Sequence, residues 1–251
     1  MNDAVLETRH LCKRFGGITA TDDVSIALGR GARQALIGPN GAGKTTLVNL
    51  LTGMLAPTSG QILLEGDDIT RLAPHRRAKR GLLRTFQINQ LFDSLTPLET
   101  VTLVIAEREG AGLRLFGSLA AGTAWAAEAA ELIGRMHLAD VMTRRVDMLA
   151  YGKRRLLEIA IALAGRPRVL LLDEPLAGVP SEESNEILDT LTELPADVTV
   201  LLIEHDMDLV FRFARRIAVL VNGALLTEGP ADAIARDPAV RSVYLGDTVD
   251  G

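Results

Sequence analysis

The sequence GPNGAGKTT at residues 38–46 has the residue types and spacing that bind nucleotide phosphates. Its first part fits the pattern G-x-x-x-x-G-K-T, in which glycines allow backbone N–H groups to turn inward around phosphate oxygens. Lys44 is placed to reach the β- and γ-phosphates, and the Thr45 hydroxyl is placed to ligate Mg²⁺. The predicted nucleotide-binding residues are Gly38, Pro39, Asn40, Gly41, Ala42, Gly43, Lys44, Thr45 and Thr46.

Two acids end a strongly apolar stretch, VLLLDEP at residues 169–175. The apolar run predicts a buried strand, and parallel α/β sheets bind their ligands at the carboxyl edge where such strands end. Asp173 is therefore predicted to hold Mg²⁺ through water, and Glu174 to polarise an attacking water. Taken alone, the same pattern also fits a strand that ends in a solvated acidic turn.

Three further residues are candidates by their position. His205 follows the apolar run of LLIEHD and is predicted to contact the γ-phosphate where the strand ends converge. Gln87 is predicted to reach the metal or the attacking water, although a glutamine in a polar loop commonly does neither. Phe15 is placed to stack on adenine, with core packing as the alternative.

The stretch LAYGKRRLLEIAIAL at residues 149–163 contains an unusual helix start. Helical spacing predicts a helix that begins just after Gly152, with the apolar residues Leu156, Ile159, Ala160 and Leu163. Ala150 and Tyr151 are poor N-caps. The first turn also holds basic residues where acids are preferred, namely Lys153, Arg154 and Arg155. Such a start predicts an anion supplied from elsewhere.

The elements that must position these residues form an α/β pattern. Short apolar runs bounded by turn residues predict buried strands at residues 34–38, 169–175, 199–206 and 216–223. Helical stretches lie between them, which indicates a parallel sheet with covered faces. The N-terminal part differs, because short alternating segments with turns at Gly16-Gly17, Gly29 and Gly60 predict a small antiparallel layer.

Residues 88–150 differ again and are predicted to be helical. The sequence from Thr96 to Glu99 has the N-cap, proline and glutamate of a helix start. Residues 110–122 are predicted to form a glycine-rich loop, followed by a second helix over 123–138 with Thr123 as its cap. A basic cluster is predicted to be a solvated face, with nucleic-acid contact as the minor alternative: Arg76, Arg77, Lys79 and Arg80.

Composition limits the classes of function. The 251-residue chain is 47% hydrophobic and has a formal net charge of −5, which disfavours nucleic acid because its binding is driven by cationic surface. The single cysteine, Cys12, excludes an intramolecular disulfide and suits a reducing compartment. We find neither an N-terminal signal nor a run of ~20 apolar residues. The sequence therefore predicts a soluble, cytoplasmic protein whose membrane role, if any, comes through a partner.

Several of these features stand in the order typical of one family: Phe15, GPNGAGKTT, Gln87, LAYGK, VLLLDEP and His205. Along nearly its whole length the chain resembles the ATP-binding subunit of an ABC transporter. The resemblance implies a single ABC ATPase domain over residues 1–251. A P-loop α/β core with the antiparallel β layer would span 1–87 and 151–251, and an inserted helical subdomain would span 88–150.

The resemblance also implies ATP and Mg²⁺ as cofactors, with Thr45, Gln87 and Asp173 around the metal. It supplies an answer for the unusual helix start, because the family signature contacts the γ-phosphate of ATP held by a second subunit. Two subunits would then enclose two nucleotides. The signature residues by resemblance are Ala150, Tyr151, Gly152 and Lys153.

Further stretches resemble one of the two ATPases of bacterial branched-chain amino-acid importers, namely LAYGKRRLLEIA, GLLRTFQINQLF, LLIEHDMDLV and DPAVRSVYLG. This implies a protein peripheral to the cytoplasmic face of the inner membrane. Its partners would be integral membrane permease subunits and, indirectly, a periplasmic binding protein. Such importers carry out amino-acid transport driven by ATP hydrolysis.

Two positions depart from the family pattern. Ala150 stands where most members have a serine that contacts the γ-phosphate, and Val179-Pro180 stands where leucine followed by Asp or Asn is usual. A homodimer would carry both departures in both nucleotide sites. We therefore expect a heterodimer with a second, related ATPase.

Three alternatives are weighed against the importer. The same ATPase could serve an exporter of lipid or lipopolysaccharide, which co-purifying membrane subunits would reveal. A soluble ABC ATPase of DNA repair or translation usually has two ATPase units or a long coiled-coil insert, and neither is seen here. A non-hydrolysing ATP-binding regulator is disfavoured by Glu174 and His205, whereas Pro180 leaves it slightly open.

Overall fold

The computed structural model describes residues 4–85, 91–111 and 119–245. Within them the chain forms two compact units. The first takes in the residues up to Leu82, then Arg168–Glu174, then those from Ala196 onward. The second takes in Leu83–Pro167 and Pro175–Pro195.

The strands among the described residues are β1 (Ala4–Phe15), β2 (Ile18–Val24), β3 (Ala27–Gly29), β4 (Arg33–Ile37), β5 (Ser59–Leu64), β6 (Asp67–Asp68), β7 (Leu82–Arg84), β8 (Val169–Asp173), β9 (Thr199–Ile203), β10 (Arg216–Val221) and β11 (Ala224–Pro230). The α-helices are α1 (Lys44–Thr52), α2 (Pro74–Lys79), α3 (Pro97–Arg108), α4 (Leu119–Arg135), α5 (Tyr151–Ala164), α6 (Ser181–Thr192), α7 (Met207–Phe213), α8 (Ala231–Ile234) and α9 (Pro238–Leu245). Two short 3-10 helices cover Ala139–Val141 and Val146–Met148. No helix in the described part of the chain is both long and apolar enough to cross a membrane.

The predicted antiparallel layer is confirmed in the N-terminal part of the chain. Its strands lie in the order β2-β1-β5-β6, with β3 also paired to β1. One face packs into the core through fully buried side chains, which include Leu6, Leu11, Val24, Leu28 and Ile62. Burial of this apolar face is the term that stabilises the layer.

The predicted parallel sheet is confirmed for all four apolar runs. The sheet order is β11-β10-β4-β9-β8-β7, in which β10, β4, β9 and β8 are mutually parallel and β11 is antiparallel to β10. Leu36 of β4 and Asp173 of β8 both pair with Ile203 of β9. The carboxyl ends of these three strands therefore meet at one edge of the sheet, and the residues that follow them are brought together.

The second unit confirms one predicted helix start and corrects another. Thr96 caps α3 with a complete capping box, since its side chain accepts from the N–H of Glu99 and the Glu99 carboxylate accepts from the N–H of Thr96. The prediction that Thr123 caps the next helix is wrong, because α4 already runs from Leu119. Its alanine-rich beginning favours helix, so residues 119–122, the last four of the predicted glycine-rich loop, are helical. Residues 112–118 of that segment lie outside the described residues.

The predicted solvated basic face is wrong at one of its four residues. Arg77 is only 1% exposed, whereas its three basic neighbours are exposed. Its guanidinium donates hydrogen bonds to four backbone carbonyls, those of Leu50, Leu51, Thr70 and Leu72. Two of these carbonyls belong to the last turn of α1. The Arg77 cation supplies hydrogen-bond donors to carbonyls that lack a partner within the helix, and it stabilises the negative end of the helix dipole.

Candidate nucleotide-binding site

The loop before α1 is shaped by left-handed glycines. Gly43 stands at the N-cap of α1 with φ of 98°, and α1 has no side-chain cap and no acid in its first turn. A Cβ at Gly43 would lie 2.5 Å from the Ala20 carbonyl oxygen, so a side chain is excluded there. Gly41 has φ of 81°, which also favours glycine. The result is a helix start whose N–H groups are left for an anion.

Lys44 folds over this loop. Its Nζ donates to the carbonyl oxygens of Gly38 at 2.5 Å and Pro39 at 3.1 Å. Burial lowers the pKa of Lys44, while the negative charges of Glu174, Asp173 and Glu204 act in the opposite direction. A cation held between a phosphate-sized loop and an acidic strand edge is suited to pair with phosphate oxygens.

The two acids after β8 lie beside the loop. Asp173 is 5% exposed at the end of β8, and the N–H of Glu174 donates to the Ile203 carbonyl oxygen at 2.9 Å. Glu174 has φ of 46°, an uncommon conformation for a non-glycine residue, which tertiary contacts must hold in place. Glu174 lines the same cleft as Asn40, Gly41, Ala42, Gly43, Lys44, Thr45 and Thr46.

His205 reaches the same edge from β9. Its Nδ1 lies 3.7 Å from Glu174 Oε1 and 3.6 Å from Glu204 Oε2. The predicted strand-end cluster of Lys44, Glu174 and His205 is therefore assembled within the first unit. The sequence analysis does not predict Glu204 as part of this cluster. Its position directly after an apolar strand and before His205 is a pattern that indicates it.

The hairpin between β1 and β2 forms another wall of the site. Phe15 is 46% exposed and its ring lies 4.9 Å from Lys13 Nζ, so it is not packed in the core. Ile18, which pairs with Phe15 across the hairpin, is 72% exposed and lines the cleft. An exposed apolar pair beside a phosphate loop offers a surface on which a base can lie.

A tight turn that the sequence analysis did not single out completes the cleft. Asn222 and Gly223 join β10 to β11 with φ of 49° and 82°, the conformation that an Asn-Gly hairpin turn favours. The Gly223 N–H donates to the Ala42 carbonyl oxygen at 2.9 Å, which ties the phosphate loop to this hairpin.

The oxygen donors present suit a magnesium ion. Thr45 is exposed in the cleft and Asp173 is buried beside it, whereas Gln87 lies outside the described residues. Within the described residues, no group of three or more His, Cys, Asp or Glu side chains could hold a metal by itself. This fits Mg²⁺, which typically takes few protein oxygens and completes its shell with phosphate and water.

The helix start of the LAYG sequence is in the second unit. The structure begins α5 at Tyr151 rather than just after Gly152, and Ala150 provides no side-chain cap. The Gly152 N–H donates to Glu183 Oε2 at 2.6 Å. In this structure a carboxylate of the same chain therefore accepts from this helix start, and an anion supplied by a second subunit stays a prediction.

Two neighbouring contacts hold the same two segments together. The Tyr151 hydroxyl donates to the Ala177 carbonyl oxygen at 3.1 Å, and Lys153 Nζ donates to Glu186 Oε1 at 2.8 Å. Pro180 is the N-cap of α6, the helix that carries Glu183 in its first turn.

The parallel sheet, the glycine loop before α1 and the acids at its edge define a P-loop ATPase. A family model described as "ABC transporter" matches residues 21–177, and one described as "Branched-chain amino acid ATP-binding cassette transporter" matches residues 224–250. The chain belongs to the ABC transporter family, as an ATP-binding protein that hydrolyses ATP.

The chain is similar over nearly its whole length to curated relatives. It is 38% identical to the high-affinity branched-chain amino acid transport ATP-binding protein BraF of Pseudomonas aeruginosa, covering 98% of this chain and 100% of the relative. It is 37% identical to the LivG protein of the same description from Escherichia coli K12, with the same coverage. A solved ADP conformation of an ATP-binding cassette superposes with a TM-score of 0.82 at 31% identity, covering 97% of this chain and 99% of that one.

Proposed function

We propose that this protein hydrolyses MgATP to drive import of branched-chain amino acids or closely related solutes. The observation that carries the proposal is that Lys44 and Glu174 line one cleft in the first unit, with His205 Nδ1 3.7 Å from Glu174 Oε1. The relatives described as branched-chain amino acid transport proteins support the choice of solute.

Each site residue has a proposed role in binding. The loop from Gly38 to Thr46 would cradle the α- and β-phosphates with its N–H groups, and Lys44 would exchange its two carbonyl partners for β- and γ-phosphate oxygens. Phe15 would stack on the adenine. The Thr45 hydroxyl would ligate Mg²⁺, Asp173 would hold it through water, and Gln87 would complete its contacts. The magnesium ion would neutralise charge on the phosphates.

Hydrolysis requires an activated water and a stabilised γ-phosphate. Glu174 would accept a hydrogen bond from the attacking water and orient it, while His205 would contact the γ-phosphate from the other side. Positioning and charge stabilisation dominate this reaction, so these side chains need no covalent chemistry.

We propose further that the signature residues Ala150, Tyr151, Gly152 and Lys153 act on ATP held by a second ATPase subunit. The Gly152 N–H is engaged by Glu183, so a γ-phosphate oxygen would have to displace that carboxylate. Exchange of one charge-assisted hydrogen bond for another makes this displacement nearly balanced in energy.

The partners proposed for the assembly are integral membrane permease subunits, a second ATPase in a heterodimer and, indirectly, a periplasmic binding protein. In such an assembly the protein would lie peripherally at the cytoplasmic face of the cell membrane. We propose no nucleic-acid partner. An apolar groove in the second unit supports docking of a permease segment, since Phe92 and Leu103 are 65% and 53% exposed on its wall. The helical subdomain of residues 88–150 would carry this docking surface.

The test is uptake of radiolabelled leucine by cells whose own copy of this gene is deleted. Cells complemented with the wild-type chain should take up leucine, and cells complemented with Glu174→Gln should not. Leucine uptake that is equal in both strains would overturn the proposed import function.

A further inference from the structure

Glu204 directly follows β9, and none of the roles proposed above uses it. Glu204 is only 2% exposed, which is unusual for a glutamate. Its backbone lies beside β4, since its N–H points to the Leu36 carbonyl oxygen at 3.4 Å. A carboxylate in such a place is strongly destabilising unless hydrogen-bond donors or cations compensate it, so its partners indicate what it does.

Two of the groups that Glu204 contacts belong to the turn that carries His205. Its Oε2 accepts a hydrogen bond from the His205 N–H at 2.9 Å and lies 3.4 Å from the Asp206 N–H. Its charge also acts on Lys44, whose pKa it helps to raise against the effect of burial. These direct contacts are thus with the histidine turn, whereas the effect on Lys44 is smaller than those of Glu174 and Asp173.

The imidazole of His205 needs such a restraint. Its side chain is 63% exposed, so packing does little to fix the ring. Nδ1 lies 3.6 Å from Glu204 Oε2 and 3.7 Å from Glu174 Oε1. With Nδ1 facing the carboxylates, Nε2 on the far side of the ring is the nitrogen presented to a ligand.

We propose that Glu204 is a positioning residue for ATP hydrolysis, which acts by holding the His205 turn and ring in their working orientation. The inference rests on the proposed hydrolytic role of His205. A purely structural acid would build the same turn, so the distinguishing property is that Glu204 acts through His205. Loss of Glu204 should therefore lower the rate of the chemical step with little change in ATP affinity.

The experiment is a double-mutant cycle on the full-length chain, with single-turnover hydrolysis of MgATP and equilibrium ATP binding as readouts. Glu204→Met should lower the hydrolysis rate about tenfold, because displacement of a catalytic contact by a fraction of an ångström has effects of this size. ATP affinity should stay within about twofold. Glu204→Gln keeps an acceptor for the two N–H groups and should restore most of the rate. In a His205→Ala background, Glu204→Met should change the rate by less than about twofold.

Asp206→Ala is the matched control in the same turn. Asp206 caps α7 by accepting from the N–H groups of Asp208 and Leu209, so its loss should lower the melting temperature and leave the hydrolysis rate near wild type. If Glu204→Met does not fold, Glu204→Asp replaces it in the cycle, since it keeps the charge and shortens the reach by one methylene.

The outcomes separate this inference from the proposed function. A wild-type rate in Glu204→Met, or an equal fold-loss in both backgrounds, would overturn the inference alone, provided that His205→Ala is slow. A wild-type rate in His205→Ala would overturn both the inference and the proposed role of His205.

Discussion

The helices α1 and α5 begin alike in sequence and differently in structure. Neither has a side-chain N-cap or an acid in its first turn. At α1 the first turn contains a cation, Lys44, whose side chain folds back onto carbonyls of the preceding loop. At α5 the first turn is occupied by an anion, because the Gly152 N–H donates to Glu183.

This difference in charge predicts different phosphate binding at the two helix starts. At α1 the N–H groups of the helix start and Lys44 both favour an anion, so we propose that the loop binds phosphate without help from a second chain. At α5 a phosphate would have to displace the Glu183 carboxylate, so we propose that binding there depends on a ligand that a partner presents in a fixed position. Under this proposal the α1 site would set the affinity for ATP, and the α5 site would control whether the closed assembly forms.

Lys44→Ala should have the largest effect, and it tests whether Lys44 binds the phosphates at the α1 site. The variant loses the charge-assisted hydrogen bonds that we assign to Lys44 and the phosphate oxygens. MgATP binding should therefore weaken by about 10²-fold or more. Little packing is lost, so the melting temperature without nucleotide should stay near wild type. Isothermal titration with MgATP measures the affinity, and Lys79→Ala, which removes an exposed charge of α2, is the control. Wild-type affinity in Lys44→Ala would remove this residue from the site.

Ala150→Ser sharpens the comparison at the α5 site. The added hydroxyl should tighten ATP-dependent association by up to about 3 kcal/mol if it reaches the γ-phosphate, the size of a hydrogen bond to a charged group. Sedimentation of Glu174→Gln protein with MgATP, with and without the serine, measures this.

The same sedimentation experiment tests the expected heterodimer. The chain alone should associate weakly, because a homodimer would carry Ala150 and Pro180 in both nucleotide sites. A tight, ATP-dependent homodimer at sub-micromolar concentration, together with full transport in cells lacking any second ATPase, would contradict the heterodimer.

Glu183→Ala should give the smallest effect and tests whether the carboxylate competes with phosphate. Removal of its hydrogen bond to Gly152 should destabilise the free chain by about 1 kcal/mol. It should also strengthen ATP-dependent association with the second subunit, since no carboxylate then has to be displaced. Glu182→Ala, an exposed acid on the same turn of α6, controls for the change in charge. Weaker association in Glu183→Ala alone would show that the carboxylate supports the closed assembly instead.

Features that depend on local sequence were predictable. The four apolar runs specified buried strands, and the sequence from Thr96 to Glu99 specified a helix start, because propensity and capping act over a few residues. The convergence of Lys44, Glu174 and His205 followed from the geometry of parallel strands, whose carboxyl ends share one edge.

Features that depend on distant partners were not predictable. The basic cluster predicts that Arg77 is exposed. Its guanidinium is instead buried and donates to the carbonyl oxygens of Leu50 and Leu51, which are distant in sequence. Glu183 at Gly152 is a pairing across 31 residues that no local pattern indicates. The glycines of residues 110–122 predict a loop before Thr123, but the helix propensity of the alanines after Leu119 outweighs them, so α4 is already helical at Leu119.

We propose that the cluster at the sheet edge of the first unit hydrolyses ATP, with Glu174 orienting the attacking water. The most direct test compares MgATP binding and single-turnover hydrolysis by wild-type and Glu174→Gln protein. The phosphate cradle remains in this variant, so MgATP affinity should stay within about twofold, while the hydrolysis rate should fall by about 10²-fold or more. Hydrolysis at the wild-type rate in Glu174→Gln would contradict the claim and move the catalytic role to another residue.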